Sequence, residues 1–191
     1  MTGPVAQVLV VGFGNTLMGD DGVGQEVAEA VWLQRDRLPG LARASVHWLA
    51  QLTPDLALEV STCDLVVFID AAQDGRPVGS VALQRIGGPA PGPDGDAPAP
   101  GPPGAPVSCW EDLTPAGLMR MSYDLYGRAP AAVLVTVSIS QAEPGLGVSP
   151  LVAAAVPRAV AAVRLAIAAS HLRPAGVPAA GPAGAGGRHR A

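Results

Sequence analysis

Val8-Leu9-Val10-Val11-Gly12-Phe13-Gly14-Asn15-Thr16-Leu17-Met18-Gly19-Asp20-Asp21-Gly22-Val23-Gly24 reads as strand, loop and helix. The branched apolar run from Val8 to Val11 suits a buried strand, and it breaks at Gly12. Apolar positions resume at Val23, Val27, Ala30 and Val31, which is helical spacing. A Gly-x-Gly after a strand also opens dinucleotide-binding folds, which want a third glycine where helix meets strand and no negative charge beside the phosphates. Here Leu17 stands at the place of that third glycine, and Asp20-Asp21 would put two carboxylates where a pyrophosphate should sit. The loop therefore suits a cation or a proton-transfer role. A purely structural alternative is that Asp20 caps the helix and Asp21 lies in its first turn, where the helix dipole favours negative charge.

Outward from this stretch, the whole chain of 191 residues is 49% hydrophobic, enough for one good core and one domain. Aromatic residues make up only 4%, so that core must be aliphatic. A formal charge of −4 and the lack of a clustered basic face argue against a nucleic-acid partner. Cys63 and Cys109 have no metal-type spacing, and no charged leader with a cleavage site precedes the first strand. A cytoplasmic protein with reduced thiols is expected. The apolar stretch from Val152 to Ala169 is interrupted by Pro157, Arg158 and Arg164, which argues against a membrane span.

The remaining elements alternate. A strand over 5–11 and a helix over about 22–37 are followed by a strand over 44–49. Thr53-Pro54 then supplies an N-cap and a first-turn proline for a helix to about Ser61. Leu65 to Ile69, flanked by Asp64 and Asp70, has the continuous apolar character of a central parallel strand. Residues 79–86 alternate apolar and polar, as a half-exposed edge strand does. Residues 87–106 turn abruptly to Gly, Pro, Ala and Asp, predicting a flexible loop. Thr114-Pro115 opens a helix ending at Gly127, Val133 to Ile139 is another buried strand, and Ser149-Pro150 opens the last helix. The prediction is a three-layer α/β/α sandwich with a mostly parallel central sheet and one antiparallel edge strand. It comprises a single domain over 1–173 and a disordered tail over 174–191.

Ligands of open parallel sheets bind at the carboxyl ends of the strands, and both Asp21, after the first strand, and Asp70, ending the third, should lie there. An acid ending a buried strand is costly to ionise without a partner, although Asp70 could instead brace a loop through backbone amides. Glu111 or Asp112, ahead of the helix at Thr114, could complete a set of three carboxylates; the alternative is that they help cap that helix. His47, on the second strand, could approach the same edge or simply pack there.

The segment from Gly12 to Gly24 resembles the signature of the hydrogenase maturation endopeptidases. The resemblance extends through Phe68-Ile69-Asp70-Ala71, Leu113-Thr114-Pro115, Leu125-Tyr126-Gly127-Arg128-Ala129-Pro130 and Gly147-Val148-Ser149-Pro150, covering about residues 5–170 apart from the loop at 87–106. It implies an endopeptidase that removes the C-terminal extension of a nickel-iron hydrogenase large-subunit precursor after nickel insertion. It implies no permanently bound cofactor, because the metal recognised is the nickel of the substrate precursor. The metal-binding acids map onto Asp21 and Asp70, which are also the candidate catalytic residues. Glu111 stands where this family usually has histidine, and an all-oxygen set favours harder cations than nickel. Asn15 and Gln51 are the implied substrate-binding residues, and a monomer is the expected state. A non-cleaving member that serves hydrogenase maturation as a binding module is the alternative.

Overall fold

The computed structural model describes residues 7–35, 44–86 and 113–171. The predicted loop at 87–106, the tail, the ends of the first strand and first helix, Cys109, Glu111 and Asp112 lie outside the described residues.

The described elements are β1 (Val8–Phe13), α1 (Val23–Gln34), β2 (Ser45–Leu49), α2 (Leu56–Thr62), β3 (Leu65–Ala72), β4 (Val81–Ile86), α3 (Pro115–Tyr126), β5 (Ala131–Ser138), α4 (Pro150–Ala153) and α5 (Val156–His171). The five strands form one sheet in the order β2-β1-β3-β5-β4. β2, β1, β3 and β5 run parallel, and β4 pairs antiparallel with β5 at one edge.

Alternation along the strands divides the core into two layers of apolar contact. Val8, Val10, Leu65, Val67, Ile69, Val133 and Val135 pack with α1 and α5 on one face. Leu9, Val11, Val66, Phe68 and Ala132 pack with α2 and α3 on the other. The architecture is thus the expected α/β/α sandwich, with β4 as the antiparallel edge strand.

Local starts and stops follow side-chain chemistry. Thr114 accepts a hydrogen bond from the Gly117 N–H at 3.1 Å, Pro115 takes the first turn, and Gly127 closes α3. At Thr53-Pro54 the structure departs from the expected cap: these residues form a turn, and α2 begins at Leu56 without a side-chain cap. The last helix is divided rather than continuous. α4 ends at Ala153 and α5 starts at Val156, next to Pro157, whose ring nitrogen has no hydrogen to donate to a continuous ladder. By length and composition alone Pro150–Ser170 could cross a membrane, but its side chains at Val152, Ala155, Ala159, Val163, Ala166 and Ile167 are buried in the protein's own core.

Candidate active site

α1 packs hard against the carboxyl end of the sheet, and glycine makes this possible. A Cβ on Gly12 would lie 2.6 Å from the Ala28 Cβ, and one on Gly24 would lie 2.6 Å from the Ile69 carbonyl oxygen. Gly24 therefore supplies the close helix-to-strand contact for which the sequence has no glycine at position 17, where Leu17 is exposed instead.

The intervening loop folds back on itself. Gly14, at φ 136°, leaves no room for a side chain against the Asp21 carbonyl oxygen, and its N–H donates to the Leu49 carbonyl at 3.1 Å. The Asn15 N–H donates to Asp21 Oδ2 at 2.7 Å, while Asn15 Oδ1 accepts from the Leu17 N–H at 3.0 Å. Gln25 Nε2 donates to the Gly14 carbonyl at 2.6 Å. Asp21 thus sits in a short 3-10 turn, Gly19–Gly22, tied to the end of β1.

Asp20 does not cap α1, whose N-cap is Gly22 with no side-chain hydrogen bond. Its carboxylate accepts the Ser149 N–H at 2.5 Å and the Ser149 Oγ–H at 3.0 Å, joining the loop to the start of α4. Met18 and Gly145 reinforce this union by a parallel bridge. The two adjacent acids have divided labour: one fastens the loop, the other remains beside the sheet edge.

Asp70 is the sixth of eight residues in β3, one position beyond the Gly12–Ile69 rung and hence level with Phe13. Its carboxyl is pushed up to about 7, first by burial and further by the negative charge of Asp21, against a lowering hydrogen bond from the Ala71 backbone. Asp21 and Asp70, 49 positions apart in sequence, therefore share one electrostatic neighbourhood at the carboxyl edge. A carboxyl group that titrates near neutrality within the field of a second acid is an arrangement able to exchange protons with water or a leaving group.

The other expected residues are placed differently. Gln51 is exposed, two positions past β2 on the same edge. His47 lies in mid-strand beside Val11, and its Nε2 is hydrogen-bonded to Glu59 Oε2 at 2.9 Å, away from the acids. Among the described residues no group of three His, Cys, Asp or Glu side chains is placed to hold a metal ion.

A polar cluster that the sequence did not single out occupies the turn after β3. Asp74 accepts from Arg76 Nε at 2.8 Å, from Arg76 Nη2 and from Ser138 Oγ at 2.8 Å. Arg76 Nη2 also donates to Thr136 Oγ1 at 3.0 Å. The guanidinium and its hydrogen bonds hold the Asp74 carboxyl down to about 2. The available signal was Asp74-Gly75-Arg76 two positions past the end of β3, a turn that allows its two charged ends to meet.

Fold and acid pair together define a parallel α/β protein with its polar chemistry at the carboxyl ends of the strands. Among solved structures, this architecture is shared with hydrogenase maturation endopeptidases, so the expected resemblance extends to the fold. HybD from E. coli, a hydrogenase maturating endopeptidase, is similar with 21% identity, a TM-score of 0.58, and coverage of 86% of this chain and 93% of that one. Hydrogenase 2 maturation peptidase from a Thaumarchaeota archaeon gives 25% identity and a TM-score of 0.59 over 85% and 98%. The maturation protease HycI from Thermococcus kodakarensis gives 18% and 0.59 over 85% and 93%. No protein-family model and no curated protein matches the sequence.

Proposed function

We propose that this chain is an endopeptidase that removes the C-terminal extension of a nickel-iron hydrogenase large-subunit precursor once nickel has been inserted. The observation that carries the reading is the meeting of Asp21 and Asp70 at the carboxyl edge of a sheet whose architecture matches maturation peptidases along nearly their whole length. In this reading the two acids engage the nickel carried by the substrate, with Glu111 as a third oxygen ligand, and one of them accepts a proton from the attacking water. Asn15 and Gln51 line the path of the substrate tail. The protease acts in the cytoplasm as a monomer and holds no metal of its own.

The test is incubation of a nickel-loaded precursor with the wild type and with Asp21→Asn. The wild type removes the tail, and the variant is slower by a factor on the order of 100 or more. Equal rates would refute the assignment. A second reading is favoured by one sequence feature, Glu111 in place of histidine: a maturation-associated binding module that holds the precursor without cutting it. Retained binding by the wild type with no tail removal would establish that reading.

A further inference from the structure

Arg76 belongs to the connection between β3 and β4, yet its guanidinium folds back onto the sheet. A brace for that turn requires only Asp74, which receives the Arg76 backbone N–H at 3.1 Å as well as its side chain. The additional bond to Thr136 Oγ1 fixes the guanidinium over a particular rung. Thr136 is the register partner of Asp70, and partners in a parallel ladder share a face. Neighbouring strands lie about 4.8 Å apart, so Thr136, whose hydroxyl the guanidinium engages, stands one strand from Asp70. On the far side, the antiparallel partner of Thr136 is Ala82, a small side chain.

Of the five N–H donors of a guanidinium, Nε and Nη2 serve Asp74 and Thr136. The Nη1 pair has no acceptor among the described residues. A planar fork held on two sides, with two donors remaining on the rung that Thr136 shares with Asp70, matches an oxygen that gains negative charge during reaction.

We propose that Arg76 is a catalytic residue that donates through Nη1 to the carbonyl oxygen of the scissile peptide lying over Asp70. This deepens the endopeptidase reading and rests on it. In the step assigned, the oxygen of water bonds to the carbonyl carbon and the C=O electron pair moves onto the oxygen that Arg76 holds. The pair then returns, the C–N bond breaks, and one proton of the water ends on the leaving nitrogen.

The test is steady-state and single-turnover cleavage of the nickel-loaded precursor by the wild type, Asp21→Asn, Arg76→Gln, Arg76→Ala and Thr136→Val, with thermal melting of each. Loss of one preorganised donor slows Arg76→Gln on the order of 100-fold in kcat with little change in KM. Free guanidinium at millimolar concentration restores part of the Arg76→Ala rate, which a purely structural role would not allow. Thr136→Val keeps the Asp74 brace and loses rate to a smaller degree. Cleavage by Arg76→Gln at the wild-type rate overturns the inference alone. So does an Arg76→Ala variant that folds, is slow and gains nothing from guanidinium while Thr136→Val is unimpaired. A wild type that leaves the precursor uncut removes the endopeptidase reading and this role with it.

Discussion

Asp20 and Ser149 are 129 residues apart and joined twice, once through the Ser149 N–H and once through its hydroxyl. Ser149 is the N-cap of α4, so one carboxylate fixes both the acidic loop and the start of the helix behind it. Hydrogen bonds to a charged group are worth about 1.5–3 kcal/mol, and the Ser149 pair loses its acceptor in Asp20→Ala. That variant is expected to lose about 3 kcal/mol or more in urea unfolding, with Asp20→Asn intermediate because one oxygen acceptor survives. An unchanged midpoint and slope in Asp20→Ala would show that the two loops hold their places without this tie.

The elevated Asp70 carboxyl predicts a specific pH dependence. Below about pH 4 the group is protonated in both folded and unfolded chains and contributes nothing. Between about 4 and 7 the unfolded chain ionises it while the folded chain does not, so stability falls as pH rises and levels off above about 7. A tenfold change in an acid dissociation constant is worth about 1.4 kcal/mol, so the buried carboxyl costs the fold up to about 4 kcal/mol at pH 8. Asp70→Asn is expected to be more stable than the wild type at pH 8, with the difference vanishing near pH 4. A difference that stays flat across this range would contradict the assigned titration.

The pattern of strand, loop and helix made the sheet and both of its helical layers legible, because continuous apolar runs such as Leu65–Ile69 are the mark of central strands in a parallel sheet. The alternation at Val81–Ile86 likewise marked an antiparallel edge. The positions of Asp21 and Asp70 on one edge followed from strand direction alone. What the sequence could not convey was long-range side-chain pairing. Asp20 has the local features of a cap because capping is a local property, whereas its partner lies far along the chain. Asp74-Gly75-Arg76 signals a turn, but not the reach of Arg76 to Thr136, which depends on where β5 lies beside β3. His47 has the chemistry of a ligand, but Glu59, one helix later, engages it.

Two glycines separate steric contact from backbone strain. A methyl group on Gly24 would strike the Phe13 and Ile69 carbonyls, forcing α1 away from the ends of β1 and β3. Gly75, at φ 74°, has nothing within 4 Å of an added Cβ, so alanine there meets only the left-handed backbone penalty. Gly75→Ala is expected to cost about 1–2 kcal/mol. Gly24→Ala should cost more than about 3 kcal/mol, enough to unfold much of the chain at 25 °C. Comparable unfolding midpoints for the two variants would mean that α1 can slide off the strand ends cheaply.

Cys63 closes α2 at 5% exposure, its Sγ donating to the Glu59 carbonyl at 3.2 Å. Burial raises its thiol above the ordinary value, and the Glu59 charge adds to the effect. Because the thiolate is the reactive form, both factors suppress alkylation of the folded protein. With Cys109→Ser removing the second thiol, Cys63 in the native state is expected to react at pH 8 about a hundredfold or more slowly than in the unfolded chain. Labelling then requires opening of α2 from Leu118 and Met119 of α3, which share its apolar layer. The rate should consequently climb with urea along the same curve as global unfolding. Rapid, urea-independent labelling would instead place the thiol in a segment that opens by itself, and the α2–α3 layer could not then be part of the cooperative core.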